Sequence, residues 1–368
     1  MTPEHADTIL SSPSIQDGVR AGDVGASDDL FEGNILYAPA GGELFTTEQI
    51  IAAAVAHYQA TGYPYPTLPV HVAMQRLNAL AATPVDSLLR SIVALDVANT
   101  YHPHRLHASV NGKSSPVESF ANPVRLTRAL AKELLYSGEI GTGHFSYLTI
   151  VSGTQACANF RPGFALWMYR RFCQLGARVL DTSTGYGGRL VGFLASSCSH
   201  YLGIEPHTLT VAGNLRMLSD LGACDRATLI CAPIEDVDAG EYERTCDFAF
   251  TSPPYFSKEH YSDDETQSWK RYTTFEAWVD GFLLPMFAFQ ARVLRPGAIS
   301  AVNIADVTIK KTTYPVVQGA KYAASCAGLD YVNSEVFSLS ARHGEAHNNL
   351  EVAIEPVLFF RMPPPEAT

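Results

Sequence analysis

Five consecutive residues, Thr251-Ser252-Pro253-Pro254-Tyr255, combine groups that suit chemistry on a planar nitrogen. Two successive prolines fix the backbone and carry no amide donor, so this turn presents acceptors only. An exocyclic amino group on a base or an amide is a poor nucleophile because its lone pair is delocalised. The Ser252 side chain and the Pro253 carbonyl can accept its two N–H groups, while Tyr255 stacks on the flat ring. We therefore predict that Ser252, Pro253, Pro254 and Tyr255 are catalytic.

A second motif, the glycine turn Asp181–Gly188, follows an apolar stretch further upstream. Glycines let the backbone turn sharply and approach a ligand closely. Glu205 closes the next apolar stretch, 24 residues after Asp181. In dinucleotide-binding folds, a carboxylate at about this spacing accepts hydrogen bonds from the ribose hydroxyls. The turn matches neither GxGxxG nor GxxxxGK[ST], which argues against a nucleoside triphosphate.

The acidic character of this turn favours a positively charged cofactor. S-adenosyl-L-methionine brings a sulfonium and an ammonium group, and we predict it as the cofactor. Ile234, after the third apolar stretch, is expected to cover an adenine face, with Asp236 accepting from the adenine amino group. The alternative for Glu235 and Asp236 is an ordinary helix N-terminal turn, where acidic residues favour the helix dipole.

The two motifs together resemble the amino-methyltransferases that modify adenine N6 or cytosine N4 in bacterial and phage DNA. Ser252 to Tyr255 is similar to their catalytic motif IV, and the glycine turn to motif I. Ser252 at the first position favours cytosine N4. Asn159-Phe160-Arg161-Pro162 resembles motif X, which implies a position at the methionine end of the cofactor, and Glu355–Arg361 resembles the terminal strand of such proteins. The candidate cofactor-binding residues are Phe160, Asp181, Thr182, Gly185, Gly187, Gly188, Glu205, Asp236 and Thr251.

Two features depart from the family pattern. The glycine turn precedes the Ser-Pro-Pro-Tyr motif, and the residues between them leave no room for a target-recognition domain. Recognition of the target would then fall to residues 49–150, the insertion Phe256–Trp269 or the segment Lys310–Glu351. The insertion is either a lid over the substrate or a surface loop. Cytosine C5 chemistry is disfavoured, because no cysteine directly follows a proline to act as the nucleophile.

The elements that must hold these motifs alternate between strand and helix. We predict strands at 177–181, 201–205, 227–231, 246–250, 298–304 and 355–361. This alternation indicates a parallel sheet covered on both faces, with ligands at the carboxyl ends of the strands. The last two strands could include the antiparallel edge that methyltransferases of this class carry. The predicted fold class is α/β, a Rossmann-like class I methyltransferase sheet with a mainly helical N-terminal accessory domain.

Chain length predicts two folded parts, since the chain has 368 residues and single cores rarely exceed about 300. Residues 1–45 are expected to be a disordered acidic tail. Residues 46–155 are expected to be a helical accessory or substrate-recognition domain, and residues 156–368 the methyltransferase domain. Helices in the accessory region are predicted after an N-cap at Thr46 or Thr47 and at 70–80, 84–98 and 123–135.

The formal charge of −11 counts against strong duplex binding, because Lys and Arg supply most non-specific affinity for phosphate. Residues 1–48 hold nine acidic residues and one arginine, a net charge of −8 that leaves −3 for the remainder. DNA is therefore the favoured partner rather than the necessary one. RNA, a protein amide or a small planar amine would support the same chemistry, and a non-catalytic binding module is the third hypothesis.

Other classes of function find little support. No apolar run reaches the ~20 residues of a membrane span, and no signal pattern is seen, so we expect a cytoplasmic protein without a membrane partner. Seven scattered cysteines without a CxxC pair predict reduced thiols. His102, His104 and His107 lack a Cys or acidic companion at ligand spacing, which predicts a solvated or substrate-facing loop and no metal site. The sequence makes no prediction about the oligomeric state.

Overall fold

The computed structural model of the protein describes residues 36–37, 45–137, 140, 148, 153–338 and 354–364. A seven-stranded sheet organises the larger part of the chain. Its strands, numbered in chain order, are β1 Arg178–Asp181, β2 His200–Glu205, β3 Ala227–Cys231, β4 Cys246–Thr251, β5 Leu294–Asn303, β6 Asp330–Ser338 and β7 Ile354–Arg361.

The order of the strands across the sheet is β3-β2-β1-β4-β5-β7-β6. Strands β1 to β5 run parallel, and β7 is antiparallel to both β5 and β6. The predicted class I methyltransferase sheet is confirmed. The strand order reverses between β1 and β4, and in open α/β sheets the ligand crevice lies at such a switch point. The topology therefore places the turns after β1 and β4 side by side.

Alternate residues of the strands face two apolar layers, as the two-residue period of a strand requires. Leu180 and Leu202 pack in one layer with Trp278, Met286 and Phe287. Their neighbours Val179 and Tyr201 pack in the other layer, with apolar side chains of the helices that flank the glycine turn. Coverage on both faces explains why these strands appear in the sequence as short continuous apolar runs.

Helices of this part of the chain lie on both faces of the sheet. The α-helices are Val70–Ala82, Val85–Leu88, Leu95–Thr100, Pro162–Phe172, Gly188–Leu194, Thr208–Asp220, Ser268–Arg271, Phe275–Trp278, Leu284–Val293 and Val316–Cys326. A π-helical turn, Val279–Leu283, joins the helices Phe275–Trp278 and Leu284–Val293. Short 3-10 turns are Pro103–His107, Cys224–Arg226, Ile234–Asp236 and Gly240–Tyr242. Three short strand pairs complete the fold: Leu36–Tyr37 with Phe45–Thr46, Ser109–Val110 with Glu259–His260, and Val307–Ile309 with Thr312–Tyr314.

The predicted elements differ from the structure in three places. The helix expected at 84–98 is broken, because Ala94 adopts a left-handed φ of 64° and starts a second helix. The sequence did not predict β6, whose exposed side chains Tyr331, Val332 and Val336 mask the pattern of a half-buried strand. The antiparallel strand is correctly located at the C-terminus, but β7 lies inside the sheet and β6 forms its edge.

By their contacts, the residues group into two compact units. One unit comprises Met1–Pro66 and Gly112–Ala156, and the other comprises Thr67–Asn111 and Cys157–Thr368. Leu80, Leu88 and Val97 share an apolar cluster with Phe164 and Leu166, which explains why residues 67–111 group with the sheet. The sequence had placed that segment in the accessory domain.

The first unit is helical, with Thr47–Thr61, Pro116–Ala121 and Pro123–Ser137. Thr46 is the N-cap of its first helix, and a reciprocal capping box joins Thr46 and Gln49. Ile50, Tyr58, Leu126 and Leu130 are among the residues of its apolar cluster. The acidic tail expected at 1–45 lies outside the described residues except for Leu36–Tyr37 and Phe45.

Candidate active site

A cavity of about 300 Å³ opens at the carboxyl ends of the parallel strands. Its wall is built from the turns that follow β1, β2, β3 and β4, as the strand order predicts. The predicted site residues that line the cavity are Phe160, Thr182, Gly185, Glu205, Ser252, Pro253, Pro254 and Tyr255. The predicted residues that do not line it are Asp181, Gly187, Gly188, Asp236 and Thr251.

Asp181 lies behind the cavity wall and has a structural environment. It is fully buried, and its carboxylate accepts hydrogen bonds from Arg189 Nε at 2.7 Å and from the Tyr201 hydroxyl at 2.6 Å. Arg189 is also buried, and its guanidinium lies 4.9 Å from the centre of the Phe160 ring. The sequence assigned Asp181 to direct cofactor contact. In the structure the carboxylate instead pairs with Arg189, whose guanidinium lies over the Phe160 ring, and direct contact of Asp181 with the cofactor stays a prediction.

Gly187 and Gly188 make room for the protein chain itself. A Cβ atom on Gly188 would lie 2.0 Å from the Phe160 carbonyl oxygen, and one on Gly187 would lie 2.4 Å from Asn214 Oδ1. Gly187 also has a φ of 77°, which favours glycine. The sequence expected both to approach the cofactor. The missing side chain of Gly188 lets the segment that carries Phe160 pack directly on the turn, and that of Gly187 leaves room for Asn214.

Glu205 is the polar group best placed to bind a diol. One carboxylate oxygen accepts from the Gly185 amide at 2.9 Å, and the other accepts from the His207 amide at 3.1 Å. These two amides fix the plane of the carboxylate at the cavity wall. Burial nevertheless raises the pKa of Glu205 to about 7. The carboxylate is thus held in position while its charge is incompletely solvated.

The turn after β3 presents Ile234 and Glu235 to the cavity, whereas Asp236 points elsewhere. Asp236 is half-exposed and forms a bidentate pair with Arg271, at 2.9 and 3.1 Å. Glu235 is buried, accepts from the Tyr272 hydroxyl at 3.1 Å and lies 3.1 Å from Arg271. Burial raises its pKa. The carboxylate that lines this part of the cavity is therefore that of Glu235.

The turn after β4 also lines the cavity. Ser252 to Tyr255 all line the cavity, and the Tyr255 hydroxyl donates to the Asn303 carbonyl at 3.3 Å. Lys258 Nζ lies 5.4 Å from the centre of the Tyr255 ring. Thr251 is fully buried, and its hydroxyl has no partner among the described residues. Thr182, on the β1 side, accepts from Gln290 Nε2 at 3.2 Å. The proline turn and Glu205 thus face one cavity.

The insertion after Tyr255 contributes further lining residues that the sequence did not single out. Lys258, Glu259, Tyr261 and the run Thr266–Trp269 line the cavity. His260 and Trp269 stack with ring centres 4.1 Å apart, so the insertion has a defined internal structure. The Thr266 hydroxyl and the Trp269 indole N–H are buried and have no partner among the described residues. Orphaned donors in a cavity wall suit a polar ligand. The only sequence signal was the mixture of polar and aromatic residues.

The histidine cluster is structural. His102 is fully buried, with Nδ1 2.7 Å from the Ala98 carbonyl and Nε2 3.3 Å from the Thr210 carbonyl. His104 Nε2 lies 2.9 Å from the Thr210 hydroxyl. Burial lowers the pKa of His102 to about 4 and that of His104 to about 3. The expected solvated loop is therefore wrong for His102. Across the described residues, no three His, Cys, Asp or Glu side chains form a group that could hold a metal ion.

Comparisons with known proteins give a likeness of fold. No family model and no curated protein sequence matches the chain. A SAM-dependent O-methyltransferase from Thermotoga maritima is similar at 12% identity and a TM-score of 0.39, over 58% of this chain and 69% of that protein. TrmN from Thermus thermophilus is similar at 13% identity and a TM-score of 0.38, over 54% and 48% of the two chains.

A further similar structure, also from Thermus thermophilus, belongs to a protein assigned as a DNA modification methylase. Its identity is 17% and its TM-score 0.28, over 46% of this chain and 55% of that one. At such identities the likeness concerns the fold alone. The fold is defined by the strand order β3-β2-β1-β4-β5-β7-β6, and any functional argument rests on the cavity. None of the described helices has the length and apolar character needed to cross a membrane.

Proposed function

We propose that the protein is an S-adenosylmethionine-dependent methyltransferase that modifies an exocyclic amino group, cytosine N4 or adenine N6, in DNA. One observation carries this proposal. The Ser252-Pro253-Pro254-Tyr255 turn and Glu205 both line a single cavity of about 300 Å³. The cavity therefore brings together an acceptor turn for a planar amine and a carboxylate for a ribose.

The residues of the cavity fit the cofactor. Glu205 would accept from both ribose hydroxyls, because each of its oxygens accepts from one backbone amide and keeps further acceptor capacity. Ile234 would cover the adenine, and Glu235 would accept from its amino group, the role that the sequence gave to Asp236. Arg161, next to Phe160 in the cavity wall, offers a cation for the methionine carboxylate. The bound cofactor supplies an electrophilic methyl group on a sulfonium.

The catalytic turn would activate the target nitrogen. The two N–H groups of the target nitrogen would donate to the Ser252 hydroxyl and the Pro253 carbonyl, and Tyr255 would hold the target ring by stacking. Ser252 and Pro253 would direct the nitrogen lone pair towards the methyl carbon, so that the new carbon–nitrogen bond would replace the carbon–sulfur bond, whose electron pair would remain on sulfur. The nitrogen then loses a proton to solvent. Positioning dominates such a step, and this chain needs no covalent intermediate.

The second candidate keeps the chemistry and replaces DNA with RNA, a protein amide or a small planar amine. Two observations favour it. Residues of the insertion, among them Lys258, Tyr261 and Trp269, form part of the wall of a cavity of about 300 Å³, and the formal charge is −11. DNA remains the proposed substrate because the family that the two motifs resemble acts on DNA.

Label transfer separates the two candidates. The full-length protein is incubated with methyl-labelled S-adenosylmethionine and, in parallel, with unmethylated genomic DNA, total RNA and a small-molecule extract. We expect label in DNA, and none with Ser252→Ala. Label confined to RNA, protein or small molecules would contradict DNA as the substrate and support the second candidate. Absence of label in every fraction, with normal cofactor binding, would contradict both.

The affinity for the cofactor is expected to depend on pH through Glu205. Its pKa of about 7 means that the carboxylate is mostly protonated at pH 6, whereas ribose hydroxyls donate to the ionised form. Affinity should therefore rise with pH and level off above pH 7, with Kd about tenfold weaker at pH 6 than at pH 8. Isothermal titration calorimetry measures this dependence. Glu205→Gln should bind S-adenosylmethionine more weakly and with an affinity that does not depend on pH. If the pH dependence persisted in this variant, it would come from another titratable group.

A further inference from the structure

A small β-hairpin follows strand β5, directly after the part of β5 that reaches the cavity. Val307–Ile309 pairs with Thr312–Tyr314, and Ile309 is opposite Thr312, so the loop consists of Lys310 and Lys311 alone. Both lysines have positive φ, 48° and 72°. Two-residue loops with two positive φ angles are type I′ turns, in which Asn-Gly is strongly preferred. Two adjacent lysines are an unfavourable choice on conformational grounds, which suggests that they serve a function.

The base of this hairpin is fixed next to the catalytic turn. Val307 is buried, and the Tyr314 ring lies 5.0 Å from the Phe256 ring and 5.6 Å from the Phe275 ring. Phe256 directly follows Tyr255 in the sequence. Asn303, the last residue of β5, lines the cavity. Because strands rise about 3.3 Å per residue, the tip lies on the order of 10 Å beyond this anchored base.

The tip is exposed, and no acidic side chain of the described residues pairs with it. Lys310 and Lys311 are both exposed, and among the described residues neither forms a salt bridge. Asp306, the nearest acidic residue in sequence, accepts from the Val317 amide at 2.9 Å and is directed to the helix that follows. A pair of free ammonium groups on a rigid support near the cavity suits the phosphates that flank a base bound there.

We propose that the hairpin Val307–Tyr314 is a DNA-binding finger whose two lysines contact backbone phosphates beside the target nucleotide. The inference rests on the proposed function and deepens it, because it assigns part of the DNA contact to this chain. It also answers the difficulty raised by the formal charge of −11. Phosphate contact requires local positive charge near the site, and the net charge of the whole chain is less important.

The double variant Lys310→Asn/Lys311→Gly tests the proposal. It removes both charges and installs the residues that a type I′ turn prefers, so thermal stability should be unchanged or higher. We expect KM for a short unmethylated duplex to rise roughly tenfold, and the slope of log K against log salt to shrink by about 1.8. Fluorescence anisotropy gives the affinity and its salt dependence. The affinity for S-adenosylmethionine and kcat at saturating DNA should not change.

A matched control removes two positive charges elsewhere. Arg90 and Arg216 are exposed, and Arg90→Ala/Arg216→Ala changes the net charge by the same amount. This control should bind DNA like the wild type. The proposal would be overturned if both variants bound DNA equally more weakly than the wild type, or if the hairpin variant bound DNA as tightly as the wild type. Wild-type protein that binds no DNA would also overturn it, whereas hairpin-dependent binding without methyl transfer would contradict only the proposed reaction.

Discussion

Replacing Tyr255 with alanine is expected to lower kcat/KM for the target about 100-fold while the affinity for S-adenosylmethionine stays unchanged. The ring lines the cavity next to Ser252 and Pro253 and would hold the target by stacking. Stacking contributes roughly 1–3 kcal/mol per base, and a misplaced reacting group can cost a further large factor in rate. Steady-state kinetics on the methylated fraction, with calorimetry of cofactor binding, measures both quantities.

Tyr255→Phe is the matched control. It keeps the ring and loses only the hydroxyl that donates to the Asn303 carbonyl at 3.3 Å, so the expected loss is less than about tenfold. Ser252→Ala, which removes a proposed acceptor of the amino group, should again lower the rate by about 100-fold or more. Full activity in Tyr255→Ala and Ser252→Ala, with normal cofactor binding, would remove the proline turn from the mechanism.

Asp181→Asn is expected to lower the free energy of unfolding by about 3–5 kcal/mol, because it leaves the buried charge of Arg189 without its partner. Both side chains are almost fully buried, and the Tyr201 hydroxyl donates to the same carboxylate. Urea denaturation of the full chain measures the change. Loss of the ion pair should also loosen Phe160, whose ring lies beneath the Arg189 guanidinium.

An exposed ion pair provides a control for the predicted effect of Asp181→Asn on the free energy of unfolding. Arg76 and Asp96 pair at 3.2 Å with about half of each side chain exposed, and Arg76→Ala should change stability by less than about 1 kcal/mol. If Asp181→Asn kept full stability and yet weakened cofactor binding more than tenfold, the carboxylate would face the cofactor, as the sequence first suggested.

The sequence was sufficient to locate the parallel strands and the proline turn that follows one of them, because both depend on local patterns. β3 has the predicted bounds, Ala227–Cys231, and the other predicted strands match to within a few residues. The Ser252–Tyr255 turn occurs directly after an apolar strand in a sheet whose ligands bind at strand ends. The order of the strands determines which turns lie side by side at the edge of the sheet, and that order is a property of the predicted fold class.

Roles that depend on distant partners could not be predicted. Asp181 has the position of a cofactor ligand, but its charge is used by Arg189, which only the three-dimensional packing shows. Gly188 has a packing reason that the sequence did not show, because a Cβ there would lie 2.0 Å from the Phe160 carbonyl oxygen. Glu235 and Asp236 are adjacent and chemically alike. Both lie beside Arg271, and only the 3-10 turn that carries them determines that Glu235 lines the cavity while the half-exposed Asp236 does not.

The central claim is that a methyl group is transferred to a planar exocyclic nitrogen. The most direct measurement digests the labelled nucleic acid to nucleosides and locates the label by chromatography and mass spectrometry. We predict that the label is in N4-methylcytosine or N6-methyladenine, with Ser252 favouring cytosine. Label on carbon, as in 5-methylcytosine, or on a sugar oxygen would contradict the account, because neither atom needs the acceptor turn that Ser252 and Pro253 form.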